Sequence, residues 1–151
     1  MSMLTNISRR HFLQVVAAAG AATALTGCGS GNNGSAEAFG DASAGNVSAL
    51  AVGRLEAVPN TPAFIGRDAD GLYAMTATCT HAGCDMISAG SITAQGIVCN
   101  CHGSVFDKDG SVISGPAKSA LEHFAVTVDA SGNITVHGGS SVSQATRTPV
   151  A

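Results

Sequence analysis

Residues 99–107 read Cys-Asn-Cys-His-Gly-Ser-Val-Phe-Asp, and residues 79–84 read Cys-Thr-His-Ala-Gly-Cys. Each stretch crowds cysteine and histidine into a few positions. Each follows a short strand-like run, Ala74–Ala77 before the first and Ile97–Val98 before the second. Both are therefore expected as loops at one end of a sheet. Cys-x-His in one loop and Cys-x-x-His in the other bring two thiolates and two imidazoles toward one point. That donor set suits a tetrahedral zinc. It equally suits a 2Fe–2S cluster with a cysteine pair on one iron and a histidine pair on the other.

Outward from these loops the pattern is all-β. Ala63-Phe64-Ile65 and Leu72-Tyr73-Ala74-Met75 flank Asp68-Ala69-Asp70-Gly71, a hairpin with an Asp-Gly turn. Val105-Phe106 and Ser111-Val112-Ile113 flank Asp107-Lys108-Asp109-Gly110, and Phe124–Val128 and Ile134–Val136 flank Asp129–Asn133, giving two more hairpins. Asp107 and Asp109 are read as turn residues, not as an acid–base pair. Alternation in Phe-Ala-Val-Thr-Val predicts one buried and one wet face. No stretch beyond residue 30 carries a sustained helical period. With 11% charged residues, a net charge of −3 and no basic run, the chain shows no footprint for nucleic acid.

The N-terminus has a different character. Ser8-Arg9-Arg10-His11-Phe12-Leu13-Gln14 leads into an apolar run, Phe12 to Leu25, of 14 residues, too short for a spanning helix of about 20. The twin arginine resembles a Tat export signal. Leu25-Thr26-Gly27-Cys28 resembles a lipobox, in which Cys28 is lipidated and becomes the mature N-terminus. Of five cysteines, four lie in the two loops and Cys28 is left over, which lipidation explains. The expected organisation is a signal peptide over 1–27, a lipidated cysteine and flexible linker over 28–46, the folded head over 47–138, and a loose polar tail over 139–151. The protein is thereby expected on the extracytoplasmic side of a bacterial membrane, held by a lipid anchor.

CTHAGC at 79–84 together with CNCHGS at 99–104 resembles the paired boxes of the Rieske iron–sulfur family, over roughly residues 47–137 and including the approach DADGLYAMTATCTH. The resemblance implies a Rieske-like fold: small antiparallel sheets with a two-loop cluster-binding subdomain. It implies a 2Fe–2S cluster with Cys79 and Cys99 on one iron and His81 and His102 on the other, and a disulfide between Cys84 and Cys101. That division uses all six groups, and an exported protein keeps a disulfide. Gly83 and Gly103 are expected to let backbone N–H groups approach the sulfurs. Ser104 matches the family serine whose hydroxyl bonds to a bridging sulfide. Phe106 stands where high-potential members carry a tyrosine that bonds to a ligand sulfur. Ser114-Gly115-Pro116-Ala117 resembles the proline loop that covers the cluster. His11 lies in the signal, and His123 and His137 are read as ordinary surface residues.

The function implied is one-electron transfer, with no catalytic site of the chain's own. Mixed thiolate–imidazole ligation leaves the oxidised site neutral, so reduction costs less than with four thiolates. Potentials then lie at about −150 to +300 mV, against about −400 mV for plant-type ferredoxins. Ser104 without a tyrosine partner predicts a value in the upper part of that range, below Ser-plus-Tyr relatives. The leading reading is the iron–sulfur subunit of a respiratory quinol:cytochrome c-type (cytochrome bc) complex, with cytochrome b/quinol and a c-type cytochrome as partners. The alternatives are the small Rieske subunit of a periplasmic molybdenum oxidase, such as the arsenite oxidase type with its molybdopterin subunit, a stand-alone electron shuttle, and, remotely, a zinc-stabilised non-redox module. Ala82 departs from the leucine typical of quinol-oxidising members, and the span from Ala63 to Cys79 leaves no room for their larger insertion.

Overall fold

The turns are set by aspartate. In the computed structural model, which describes residues 39–150, the Asp68 carboxylate accepts from the amides of Asp70 and Gly71, Asp107 from those of Asp109 and Ser111, and Asp129 from those of Ser131 and Asn133. A short acceptor side chain folded back on its own turn is the mechanism that makes Asp a turn former. All three turns join the strand pairs expected from the sequence.

The strands are β1 (Asp41–Asn46), β2 (Leu55–Ala57), β3 (Ala63–Arg67), β4 (Leu72–Thr76), β5 (Gly90–Ile92), β6 (Gly96–Cys99), β7 (Ser104–Asp107), β8 (Val112–Ser114), β9 (His123–Val128) and β10 (Asn133–Val142). A short helix, α1 (Met86–Ala89), is capped by the Asp85 carboxylate, which accepts from the Ile87 amide at 2.9 Å. A six-stranded sheet has the order β1-β10-β9-β4-β3-β2 and a four-stranded sheet the order β5-β6-β7-β8. Every strand pairing is antiparallel.

Strands β3 and β4 lie in the middle and are buried on both faces. Phe64, Tyr73 and Met75 point to a core shared with Ile97, Cys99 and Phe106 of the small sheet. Ala63, Ile65, Leu72 and Ala74 point the other way, toward Phe124, Val126, Ile134 and Val136. Two-sided burial explains why these strands read as continuous apolar runs rather than alternating ones. The small sheet thus packs on one face of the large sheet, and the first cysteine loop leaves directly from the end of β4.

Two domain boundaries are corrected. The linker does not extend to residue 46: Phe39 stands edge-on to Phe124 with ring centroids 5.1 Å apart, and β1 pairs with β10 in the register Asp41↔His137. Its small alternate residues Ala42 and Ala44 face the core. Nor is the tail loose. Strand β10 continues to Val142, Leu72 and Thr148 exchange backbone hydrogen bonds at 2.9 Å, and Arg147 is ion-paired. Backbone pairing supplies this order, and it needs no apolar side-chain pattern.

His123 is likewise not a surface residue. It is 2% exposed, its Nδ1 lies 3.1 Å from the Leu121 carbonyl, and its ring stacks against Tyr73. His137 is half-buried between Asp41 and Thr127, bonded to each at 2.8 Å. The alternation that turns Phe124 and Val126 inward is interrupted at His123, the residue by which β9 pairs with Met75 of β4.

Candidate metal centre

The two loops come from different sheets. The first follows β4 of the large sheet, and the second joins β6 to β7 of the small one. They share one local design. The Gly83 amide donates to the Cys79 carbonyl at 2.8 Å, and the Gly103 amide to the Cys99 carbonyl at 2.9 Å. Each five-residue turn ends on a glycine with positive φ, 71° at Gly83 and 77° at Gly103. A Cβ at either position meets no protein atom within 4 Å, so among protein contacts the left-handed backbone, not crowding, requires glycine there.

Cys79 and Cys99 are buried free thiols, 1% and 0% exposed. Burial pushes the Cys99 thiol up, the Cys101 and His102 amides pull it back, and the adjoining Cys79 sulfur raises it further. A thiol raised in this way resists ionising unless a cation shares its pocket. His81 and His102 stand exposed at the rim with ring centroids 4.8 Å apart. Cys84 and Cys101 form a disulfide across the two loops, with their Cα atoms 6.7 Å apart. The donor set, two buried soft sulfurs and two accessible imidazoles, fits a mixed thiolate–imidazole iron–sulfur group. Cys28 lies outside the described residues.

A third segment covers the pair. The Ser104 Oγ, fully buried, accepts from the Ala117 amide at 3.1 Å, which leaves its own O–H free to donate. The Thr80 hydroxyl donates to the Ser119 carbonyl at 2.6 Å. Residues 115–119 therefore clasp both loops. Gly115 has φ of 98°, and a Cβ there would sit 2.6 Å from the Gly103 carbonyl oxygen and the Ser104 Cα. Thr80 was not singled out from the sequence. A hydroxyl between Cys79 and His81 was the available signal. Phe106 is fully buried in the same core as Cys79 and Cys99.

The Rieske [2Fe-2S] domain family matches residues 43–125, more than half of the chain. The protein belongs to the Rieske family. Its cofactor is a Rieske-type 2Fe–2S cluster. Residues 6–26 match the twin-arginine translocation signal, so this Rieske protein is exported to the extracytoplasmic side of a membrane. It is 41% identical over 64 residues to the cytochrome b6-f complex iron-sulfur subunit of Synechococcus sp. (strain CC9605), covering 42% of this chain and 35% of that one. It is 35% identical over 93 residues to the corresponding subunit of Chlorobaculum tepidum, covering 55% of this chain and 50% of that one. The matches thus span half or less of these relatives' lengths. Among solved structures, the ferredoxin–oxygenase complex of carbazole 1,9a-dioxygenase contains a chain aligned with TM-score 0.50 and 27% identity over 68% of this chain and 97% of that one. The plasma membrane Rieske protein PetC3 from Synechocystis PCC 6803 aligns with TM-score 0.48 and 30% identity over 62% and 96%. The all-β, Rieske-like fold of small antiparallel sheets expected from the sequence is the one observed.

Proposed function

We propose that this protein transfers single electrons as the iron–sulfur component of a cytochrome bc-type complex, with Cys79, Cys99, His81 and His102 as the cluster's protein ligands. The observation that supports this reading is the split of the four groups: two sulfurs fully buried and two imidazoles adjoining at the surface. When bound, the cluster supplies a one-electron couple. The remainder follows from the chain. Cys79 and Cys99 hold one side in a water-free core. His81 and His102 present their outer edges to solvent, where one ring nitrogen is available to accept a hydrogen bond from a quinol. Ser104 offers its O–H inward, and residues 115–119 cover its buried side chain.

The domain reading that goes with this places the signal at 1–27, lipidation at Cys28 and the ordered head from Phe39 onward. A lipid anchor of two or more chains holds a head of this size at the membrane stably, at about 0.8 kcal/mol per buried CH₂. A second reading, the small Rieske subunit of a periplasmic molybdenum oxidase, is favoured by the exposed Ala82, which offers little apolar cover beside the two imidazoles.

The deciding experiment is low-temperature EPR of the dithionite-reduced protein with a redox titration across pH. A rhombic signal of low average g, with a potential that falls above neutral pH, is expected. A colourless, EPR-silent protein carrying stoichiometric zinc overturns the proposal. Reduction by a quinol analogue in the presence of the cognate cytochrome b separates the leading reading from the second.

A further inference from the structure

The ligand set is divided between two sheets, so the spacing of its halves depends on how the sheets are held together. At the loop end, the Cys84–Cys101 disulfide and residues 115–119 hold them. At the opposite end, one side chain engages both turns at once. The Arg147 guanidinium pairs with Asp68 in the β3–β4 turn and with Asp109 in the β7–β8 turn. It also donates to the carbonyls of Gln144 and Thr146, at 2.7 and 3.0 Å, and lies 4.4 Å over the centroid of the Tyr73 ring. The planar fork of arginine suits this task, because two carboxylates and an aromatic face are engaged at once.

The surroundings are built for a charge. The Arg147 side chain is 14% exposed. Burial lifts the Asp68 carboxyl, but Arg147 and the Asp70 and Gly71 amides more than reverse this and hold it below the usual range. Tyr73 donates its hydroxyl to the Lys108 carbonyl at 3.0 Å, a further tie from β4 to the β7–β8 turn. Gln144 donates to the Asp109 carbonyl and to Ser111.

We propose that Arg147 is a positioning residue for the metal centre. By joining the β3–β4 turn to the β7–β8 turn, it fixes the pose of the sheet carrying Cys79 and His81 against the sheet carrying Cys99 and His102. The C-terminal segment is thus part of the redox device although it contributes no ligand. This inference rests on the ligand assignment proposed above.

The test compares the loaded wild-type protein with Arg147→Met, Arg147→Lys and Asp109→Asn by three readouts: EPR g-values, midpoint potential, and the rate of cluster loss to an iron chelator. The expected result is a folded Arg147→Met protein with broadened g-values, a shifted potential and roughly tenfold faster loss, equivalent to about 1.4 kcal/mol. Arg147→Lys restores the charge but not the fork and should fall between. Unchanged g-values, potential and loss rate, with only a lower melting temperature, would show a purely structural residue and overturn the inference. If Arg147→Met does not fold, Asp109→Asn removes one arm alone, and its EPR decides in the same way. A wild-type protein without any cluster signal would instead sink the ligand assignment itself.

Discussion

The Ser104 hydroxyl oxygen accepts a hydrogen bond from the Ala117 amide at 3.1 Å, inside a site that solvent does not reach. One side chain therefore serves both the clasp and the pocket it covers. Ser104→Ala should lower the midpoint potential, because a donor that favours the more negative state is lost. It should also cost about 1–3 kcal/mol, the penalty for leaving the Ala117 N–H without its acceptor. Redox titration and urea unfolding of the same sample read the two effects separately. A potential equal to wild type would show that the hydroxyl does not face the cluster.

Phe106→Tyr is the converse change. Phe106 shares its fully buried core with Cys79 and Cys99 and has no polar atom to offer them. A tyrosine hydroxyl that reaches a ligand sulfur should raise the potential with the fold retained. A lower potential, or loss of the cluster, would mean that the added oxygen finds no acceptor there.

Removing the disulfide should be felt mainly in stability. Cys84 and Cys101 close a loop of sequence separation 17, for which chain-entropy arguments give about 3 kcal/mol. The double variant Cys84→Ser, Cys101→Ser should lose that amount in guanidinium unfolding. A loss below about 1 kcal/mol, small against the chain-entropy value, would show that residues 115–119 already hold the two loops.

Gly115→Ala tests the clasp directly. Its φ of 98° disfavours any side chain, and the new Cβ would collide with backbone atoms of Gly103 and Ser104. The strain alone costs about 1–2 kcal/mol. Amide exchange at Gly103, Ser104 and Ala117 should accelerate more than exchange in β9. Uniform acceleration would count against a local role.

His123 gives the fold a pH dependence. Burial pushes its imidazole below the ordinary range, the Leu121 carbonyl pulls it back, Arg147 lowers it further, and Asp109 and Asp107 act the other way. Its Nε2 is buried without a partner, and Tyr73 stacks on its ring. The unfolded chain therefore binds more protons than the native state as pH falls below about 6.5, and stability drops with it. Urea midpoints between pH 8 and pH 5 should show that slope, and His123→Phe should flatten it. An equal slope in the variant would place the effect elsewhere.

The sequence made the hairpin turns and both cysteine loops legible for a physical reason. Asp68, Asp107 and Asp129 act on amides within four residues, and each loop holds its own glycine and donors. Strand β1 was hidden because its partner is far along the chain and its inward residues are only Ala42 and Ala44. The burial of His123 is not legible locally because the Tyr73 ring and the β4 strand against it belong to another segment. Arg147 had no local signal at all. Its carboxylate partners lie 79 and 38 residues away.

The closing of the large sheet also sets a schedule for biosynthesis. Asp41 and His137 are 96 positions apart, so a ribosome releases β1 long before the strand that receives it exists. The domain's first strand, the one nearest the signal in sequence, acquires its neighbour only when the last third of the chain has been made.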